Sequence, residues 1–124
     1  MQRDPRAFLW DVGEAAMAIK TFTTGMDTVA FENNALVQAA VERKFEVIGE
    51  ALNQLSKLDA AMAAQLPDLP QIVAFRNQLI HGYATVNPST VWTIAQKSLP
   101  DLITAVQALL GERPQAEPAK HPAL

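Results

Sequence analysis

The residues best suited to chemistry lie between positions 76 and 83, in the segment Arg-Asn-Gln-Leu-Ile-His-Gly-Tyr. This segment holds Arg76, the chain's only tyrosine, Tyr83, and His81, which is the only histidine besides His121 near the C-terminus. An arginine can hold a phosphate, an imidazole can move a proton near neutral pH, and a phenol can do either or be modified. The trio therefore suits phosphodiester chemistry, and its members are the candidate catalytic residues.

Each of these side chains also has an ordinary structural interpretation. A single arginine near a helix end is usually solvated, a histidine there often caps the helix, and a tyrosine after a glycine often packs against the helix it leaves. Asn77 could orient His81 or bind substrate, or it could be a plain surface amide. What favours function is the occurrence of Arg76, His81 and Tyr83 together in one short segment.

A second group of polar residues lies near the middle of the chain. Arg43 and Lys44 are weaker candidates for binding or orienting substrate, because their positive charges could converge with that of Arg76. Glu46 and Glu50 could line the same cleft, but we expect them to form intrahelical pairs with Arg43 and other neighbours.

Composition limits the classes of protein that this chain can be. Its 124 residues, 49% of them hydrophobic, suffice for one domain with a core and are too few for two. There is no cysteine and no Glu-x-x-His pair, so we expect no metal site and no bound cofactor. The net charge of −3 argues against a broad basic surface for nucleic acid, so any RNA contact must be local. Without a signal peptide or membrane span, the chain is expected to be cytoplasmic and to contact no membrane.

Capping residues and apolar periodicity predict helices along most of the chain. The first predicted helix starts at Pro5 and ends before Gly25, and a long central helix, capped by Asn33 or Asn34, runs to Ser56. A short helix follows from Asp59 to about Leu66, and a fourth runs from Pro70 to Gly82. The last helix runs from Asn87-Pro88 to Gly111, and Pro100 kinks or divides it. We expect Gly82 to end the fourth helix in a left-handed conformation, which places His81 at a helix C-terminus.

No segment shows the alternation of a strand, so the predicted fold class is all-α, an up-and-down bundle of four to five helices over residues 1–111. Residues 112–124 contain three prolines and almost no apolar pattern, which predicts a disordered tail. The apolar stripe of the central helix, which includes Leu36, is widened by Val37, Val47 and Ala51. Either a homodimer interface or burial within a single bundle could cover this additional face.

The pattern Arg76-(four residues)-His81-Gly82-Tyr83 resembles the Arg-x-x-x-x-His-x-Tyr signature of HEPN-domain toxins of the HepT type. The segment 40–52 is similar to the second helix of that family, and Val91-Trp92 with 99–102 is similar to its last helix. Together these resemblances cover most of residues 5–110.

The resemblance implies a HEPN-like fold and the toxin of a type VII toxin–antitoxin system, a homodimeric, metal-independent endoribonuclease that cleaves RNA. It also implies an antitoxin partner, a nucleotidyltransferase of the MntA type, which neutralises the toxin by adenylylating Tyr83 to O-AMP-tyrosine. The alternative is a catalytically inert HEPN module that only binds a nucleotide or a partner.

The helical context sets a geometric condition on the site. Residues five apart in one helix differ by about 140° in direction, so Arg76 and His81 do not share a face unless the helix end unwinds. Each chain offers one plausible catalytic histidine, so a mechanism that needs both a base and an acid could draw His81 from two chains.

Overall fold

Seven α-helices account for most of the described part of the chain, which is residues 3–82 and 86–111 of a computed structural model. In chain order they are α1 (Pro5–Phe22), α2 (Thr28–Glu32), α3 (Ala35–Leu58), α4 (Ala60–Ala63), α5 (Leu69–His81), α6 (Pro88–Lys97) and α7 (Leu99–Gly111). No strand occurs among these residues, which confirms the predicted all-α class. None of these helices is long and apolar enough to cross a membrane. Tyr83 and the predicted tail, residues 112–124, lie outside the described residues.

The helix starts follow the capping chemistry that the sequence predicts. The side chains of Asp4 and Asn34 accept hydrogen bonds from backbone N–H groups two or three residues later, at 2.8 and 3.0 Å. Asn87 caps α6 in the same way at 2.9 Å, and Pro5 and Pro88 occupy the first turns of their helices. Each cap satisfies a backbone donor that has no partner within the helix.

The central helix is α3, whose 24 residues make it about 36 Å long. One side of α3 packs against α1 and another against α5, while α7 packs against α1. Phe45 of α3 and Phe75 of α5 are both buried, and their rings meet edge to face with centroids 5.2 Å apart. This contact holds α5 against α3 immediately beside Arg76.

The structure differs from the predicted elements in two short helices. The helix α2 was not predicted, and it lies over α6, where Phe31 packs against Trp92 with ring centroids 5.3 Å apart. The helix after Asp59 ends at Ala63 instead of Leu66. The predicted break near Pro100 is confirmed, because α6 ends at Lys97 and α7 begins two residues later.

The additional apolar face of α3 is partly covered within the chain. Ala51 is buried, and Val37 and Val47 are partly buried against the core. In contrast, Leu36 leaves 81% of its surface exposed, although its place in the apolar stripe predicted burial. Within the first turn of α3, Val37 therefore packs against the core while Leu36 faces away from it.

The start of α5 uses an unusual backbone conformation. Asp68, the residue before this helix, has a φ of 59° and makes no side-chain cap. Its carboxylate instead accepts a hydrogen bond from Ser98 Oγ at 3.2 Å, at the junction of α6 and α7. This hydrogen bond connects the start of α5 to the junction of α6 and α7.

Candidate active site

Arg76 lies on the face of α5 that packs against α3. Its aliphatic stem crosses α3 at Gly49, which is buried. A methyl group at position 49 would lie 2.6 Å from Arg76 Cγ and closer still to its Cβ. Glycine therefore permits the two helices to approach closely at the point where Arg76 emerges.

The guanidinium group of Arg76 is held on two sides. Its Nη2 donates a hydrogen bond to Glu50 Oε1 at 2.7 Å, and its Nη1 donates to Asn77 Oδ1 at 3.0 Å. The second carboxylate oxygen of Glu50 accepts from Gln54 Nε2 at 3.0 Å. The four side chains form a continuous hydrogen-bonded series across α3 and α5.

The expectation that Glu46 and Glu50 pair within α3 is confirmed, but Glu50 also pairs with a residue of another helix. Glu46 pairs with Arg43 one turn earlier, with 3.2 Å between Oε1 and Nη1. Glu50 keeps an intrahelical hydrogen bond with Gln54, but its ion pair is with Arg76 of α5. The close approach at Gly49 brings the two charges together.

The polar contacts of Arg76 contribute little to the stability of the fold. The Arg76 side chain is 21% exposed and that of Glu50 is 47% exposed, and ion pairs near a surface contribute about 0–1 kcal/mol. The Nε–H of Arg76 is buried and has no hydrogen-bond partner among the described residues, which costs about 1–3 kcal/mol. Packing of the Arg76 stem on α3 supports the fold, whereas its guanidinium group adds little net stability.

Arg76 opens onto a groove of about 280 Å³ formed by the start of α1, the middle of α3 and the end of α5. Three arginines and three carboxylates line this groove, and each arginine is paired with one of the carboxylates: Arg3 with Asp11 at 2.9 Å, Arg43 with Glu46 at 3.2 Å, and Arg76 with Glu50 at 2.7 Å. The guanidinium of Arg3 also lies 4.5 Å from the centroid of the Phe8 ring, which is a cation–π contact. The groove therefore combines positive groups for an anion with negative groups that compete for them.

His81 is the last residue of α5, and it is exposed. The helix remains α-helical to this residue, so its end does not unwind to turn His81 toward the Arg76 face. Ile80 lines the groove with Arg76, whereas His81 is not among its lining residues within the described ranges. Gly82 has a φ of −75°, so the expected left-handed conformation is wrong. A φ of −75° is open to any residue and does not require glycine.

The remaining predicted site residues are distributed around this arrangement. Asn77 is exposed and bonds to Arg76, not to His81 as one interpretation had it. Arg43 lines the groove, whereas Lys44, its half-buried neighbour, is not among the described lining residues. Tyr83 lies outside the described residues. In the described part of the chain, no cluster of three histidine, aspartate or glutamate residues could hold a metal ion.

One titratable group on α3 has a perturbed pKa. Burial, and then the negative charge of Glu46 one turn later, raise the pKa of Glu42 above its usual value.

The sequence interpretation overlooked the importance of Gly49 and underestimated Glu50. A glycine within a predicted helix is itself a signal, since it destabilises a helix by up to about 1 kcal/mol relative to alanine and often marks close packing. The local sequence pattern does not determine which helix packs against Gly49 or which residue of that helix lies there, because both depend on tertiary packing.

The matched family decides what kind of protein carries this site. The model of the family described as "Ribonuclease HepT-like" matches residues 12–109, from within α1 to the last turn of α7. The chain belongs to the HepT-like ribonuclease family. The predicted resemblance is thereby confirmed at the level of the family, and the matched region includes both Arg76 and His81.

Several named relatives align with most of this HepT-like chain. "Putative RNase MJ1216" of Methanocaldococcus jannaschii is 36% identical over 103 residues, which are 82% of this chain and 83% of the relative. "Putative RNase MJ1380" of the same organism is 32% identical over 108 residues, 86% of this chain and 96% of the relative. "Probable ribonuclease HepT" of Thermococcus cleftensis is 28% identical over 102 residues, 82% of this chain and 92% of the relative. No solved structure matches the chain.

Proposed function

We propose that this protein is a metal-independent endoribonuclease that acts in the cytoplasm as the toxin of a type VII toxin–antitoxin system. Membership of the HepT-like ribonuclease family supports RNA as the substrate. The observation that carries the proposal is the placement of Arg76, whose stem is fixed on Gly49 and whose guanidinium lines the groove. Binding of a phosphate would use the guanidinium end of this side chain, whose contacts within the chain add little to stability.

The proposed reaction is cleavage by the neighbouring 2′-hydroxyl group. The 2′-oxygen bonds to phosphorus while the bond from phosphorus to the 5′-oxygen of the next nucleotide breaks. A base removes the proton of the 2′-hydroxyl, and an acid protonates the departing 5′-oxygen, which leaves a 2′,3′-cyclic phosphate and a 5′-hydroxyl. Arg76 stabilises the negative charge that grows on the non-bridging oxygens, and Arg43 and Lys44 contribute weaker contacts to the RNA backbone.

The acid and the base are best supplied by two chains. His81, exposed at the end of α5, is the one plausible catalytic histidine that each chain offers, so a single chain supplies only one of the two proton-transferring groups. A homodimer in which the two α5 ends meet would bring two copies of His81 to one phosphate. The apolar side chain of Ile80, 43% exposed beside His81, supports an interface at this end of α5.

Neutralisation is proposed to occur at Tyr83. A nucleotidyltransferase of the MntA type would transfer AMP from ATP to the phenolic oxygen, which loses its proton as pyrophosphate is released. The adduct adds negative charge and bulk two residues after His81. Both would oppose entry of an RNA phosphate. Because Tyr83 is the chain's only tyrosine, mass spectrometry of the protein treated with such an enzyme and ATP would assign a tyrosine adduct without ambiguity.

The test of the proposal is the chemistry of the cut ends. The protein, produced without a partner, is incubated with several RNAs in EDTA, and the products are analysed for their termini. We expect 2′,3′-cyclic phosphates and 5′-hydroxyls, and no cleavage of the same sequences with 2′-O-methyl groups. Cleavage that requires an added divalent cation, or 3′-hydroxyl products, would contradict the mechanism.

A catalytically inert HEPN module is the second candidate. It is favoured by the pairing of all three groove arginines with carboxylates and by the net charge of −3, which both weaken attraction for RNA. Such a module would leave every RNA type intact when tested alone, with or without divalent cations.

A further inference from the structure

Glu50 connects Arg76 to the central helix. Its Oε1 accepts from Arg76 Nη2 at 2.7 Å, and its Oε2 accepts from Gln54 Nε2 at 3.0 Å. Both oxygens of the carboxylate are therefore engaged, and Gln54 anchors it one turn further along α3. Glu50 is a fixed partner for Arg76 instead of a mobile surface charge.

The hydrogen bonds of Arg76 leave a defined pair of donors for a ligand. A guanidinium has five N–H groups in one plane. One on Nη2 bonds to Glu50, one on Nη1 bonds to Asn77, and the Nε–H is buried. One N–H remains on each Nη nitrogen, and these donors can bond to the oxygens of a phosphate.

The same carboxylate acts against the binding of RNA. Its negative charge lies beside the group that is to meet a phosphate, and it reduces the attraction that Arg76 exerts on that phosphate. A side chain that orients the arginine but repels the substrate has opposite effects on turnover and on affinity. A residue that only supports the fold would not have opposite effects on turnover and affinity, so this pair of effects identifies the proposed role of Glu50.

We propose that Glu50 is a positioning residue of the ribonuclease site, which fixes the plane of the Arg76 guanidinium for charge stabilisation and weakens ground-state binding of RNA. This inference rests on the proposed function. Orientation of a charge-stabilising donor affects the transition state more than the bound substrate, so its loss lowers kcat. Removal of the carboxylate charge lowers KM at the same time.

The test compares Glu50→Gln and Glu50→Ala with the parent protein. The glutamine keeps an acceptor for Arg76 but has no charge, so we expect kcat to fall about tenfold and KM to fall several-fold. The alanine removes both the hydrogen-bond acceptor and the negative charge, and kcat should fall on the order of 100-fold. Glu32→Gln, an exposed site at the end of α2, controls for the loss of one charge and should change neither constant.

A second readout does not depend on turnover. Binding of a 2′-O-methyl oligoribonucleotide, which cannot be cleaved by this route, is measured at fixed salt for the same variants. We expect Glu50→Gln to bind several-fold more tightly than the parent and Glu32→Gln to bind equally. Circular dichroism establishes that each variant is folded, and Glu50→Gln serves if Glu50→Ala does not fold.

The two proposals fail in different ways. If Arg76→Ala abolishes cleavage while both Glu50 variants keep the parent's kcat, the ribonuclease site stands and the role of Glu50 is wrong. If the parent cleaves no RNA, the proposed function fails, and the binding measurement still decides whether Glu50 opposes an RNA phosphate at Arg76. Unchanged or weaker binding by Glu50→Gln would overturn that part of the inference.

Discussion

At the scale of single residues, Arg76 depends on two consecutive residues of α3. Gly49 provides the space for its stem, and Glu50 provides the acceptor for its guanidinium. The sequence identified Arg76 and His81 as candidates because their chemistry is intrinsic to the side chains and their spacing is local. The contributions of Gly49 and Glu50 arise only when α3 and α5 pack in one particular register, which the local pattern does not determine.

The role of Gly49 predicts the outcome of a small substitution. Gly49→Ala should destabilise the protein by about 1–3 kcal/mol, because the new methyl group overlaps the stem of Arg76. This cost exceeds the gain in helix propensity of up to about 1 kcal/mol. Urea unfolding measures the difference, and RNA cleavage should fall with the displacement of Arg76.

Gly13→Ala is the matched control for that substitution. Gly13 also lies within a helix, but its methyl group would lie 3.3 Å from Val106 Cγ1, a side-chain atom that can move by a few tenths of an ångström. We expect a change within about 1 kcal/mol in either direction. Equal effects of the two alanines would show that close approach at Gly49 is not needed for Arg76.

The raised pKa of Glu42 predicts a stability that depends on pH. Burial and the nearby Glu46 raise its pKa above the usual 4.5, so the folded protein holds this proton more tightly than the unfolded chain does. Stability therefore falls as pH rises from the ordinary pKa through the raised one, and the full cost is present at pH 7. Glu42→Gln removes that cost.

We expect Glu42→Gln to raise the free energy of unfolding at pH 7 by up to about 0.5 kcal/mol, the cost of a like-charge pair one turn apart. The gain in stability should shrink as the pH is lowered toward 4, because Glu42 of the parent protein is then increasingly protonated in both the folded and the unfolded state. Urea unfolding at the two pH values measures this. An equal gain in unfolding free energy at both pH values would mean that the glutamine acts through packing instead of charge.

At the scale of elements, the starts of α1, α3, α5 and α6 were predictable because capping residues and prolines act within a few positions of each other. The helix α2 was missed because five residues carry too little periodicity. Its place depends on Phe31 meeting Trp92 of α6, a contact between distant parts of the chain. The left-handed Asp68 before α5 was likewise not evident from the local pattern.

The conformation of Asp68 predicts a sharp difference between two substitutions. Asp68→Val should destabilise the fold by about 1–2 kcal/mol, since a β-branched residue is strained at a φ of 59°. Asp68→Asn should change stability by no more than about 0.5 kcal/mol, because asparagine tolerates this conformation and can still accept from Ser98. Thermal unfolding compares them, and equal stability of the two variants would contradict a role for the backbone at this residue.

At the scale of the whole molecule, the two candidate catalytic groups extend from different faces of α5. Arg76 lines the groove with α1 and α3, and His81 is exposed at the end of α5. The difference of about 140° between them was predicted from helix geometry and holds because α5 continues to His81. In the proposed homodimer, a second chain supplies the surface that completes the site.

A dimer with a shared site predicts how mixed assemblies behave. Chains with and without His81→Ala, carrying different tags, are coexpressed and the mixed dimers are purified. If each cut needs His81 from both chains, these dimers should retain far less than half of the parental activity. Parental dimers that carry both tags are the control. Retention of half or more would mean that one histidine suffices for each cut.

The most direct test of the central claim is RNA cleavage in EDTA by the parent, Arg76→Ala and His81→Ala, each checked for folding. Lys57→Ala, which removes a positive charge from an exposed position near the end of α3, is the control. We expect the parent and the control to cut equally, with losses of about 100- to 1,000-fold for Arg76→Ala and at least about 100-fold for His81→Ala. Folded variants that cut as fast as the parent would contradict a ribonuclease site at Arg76 and His81.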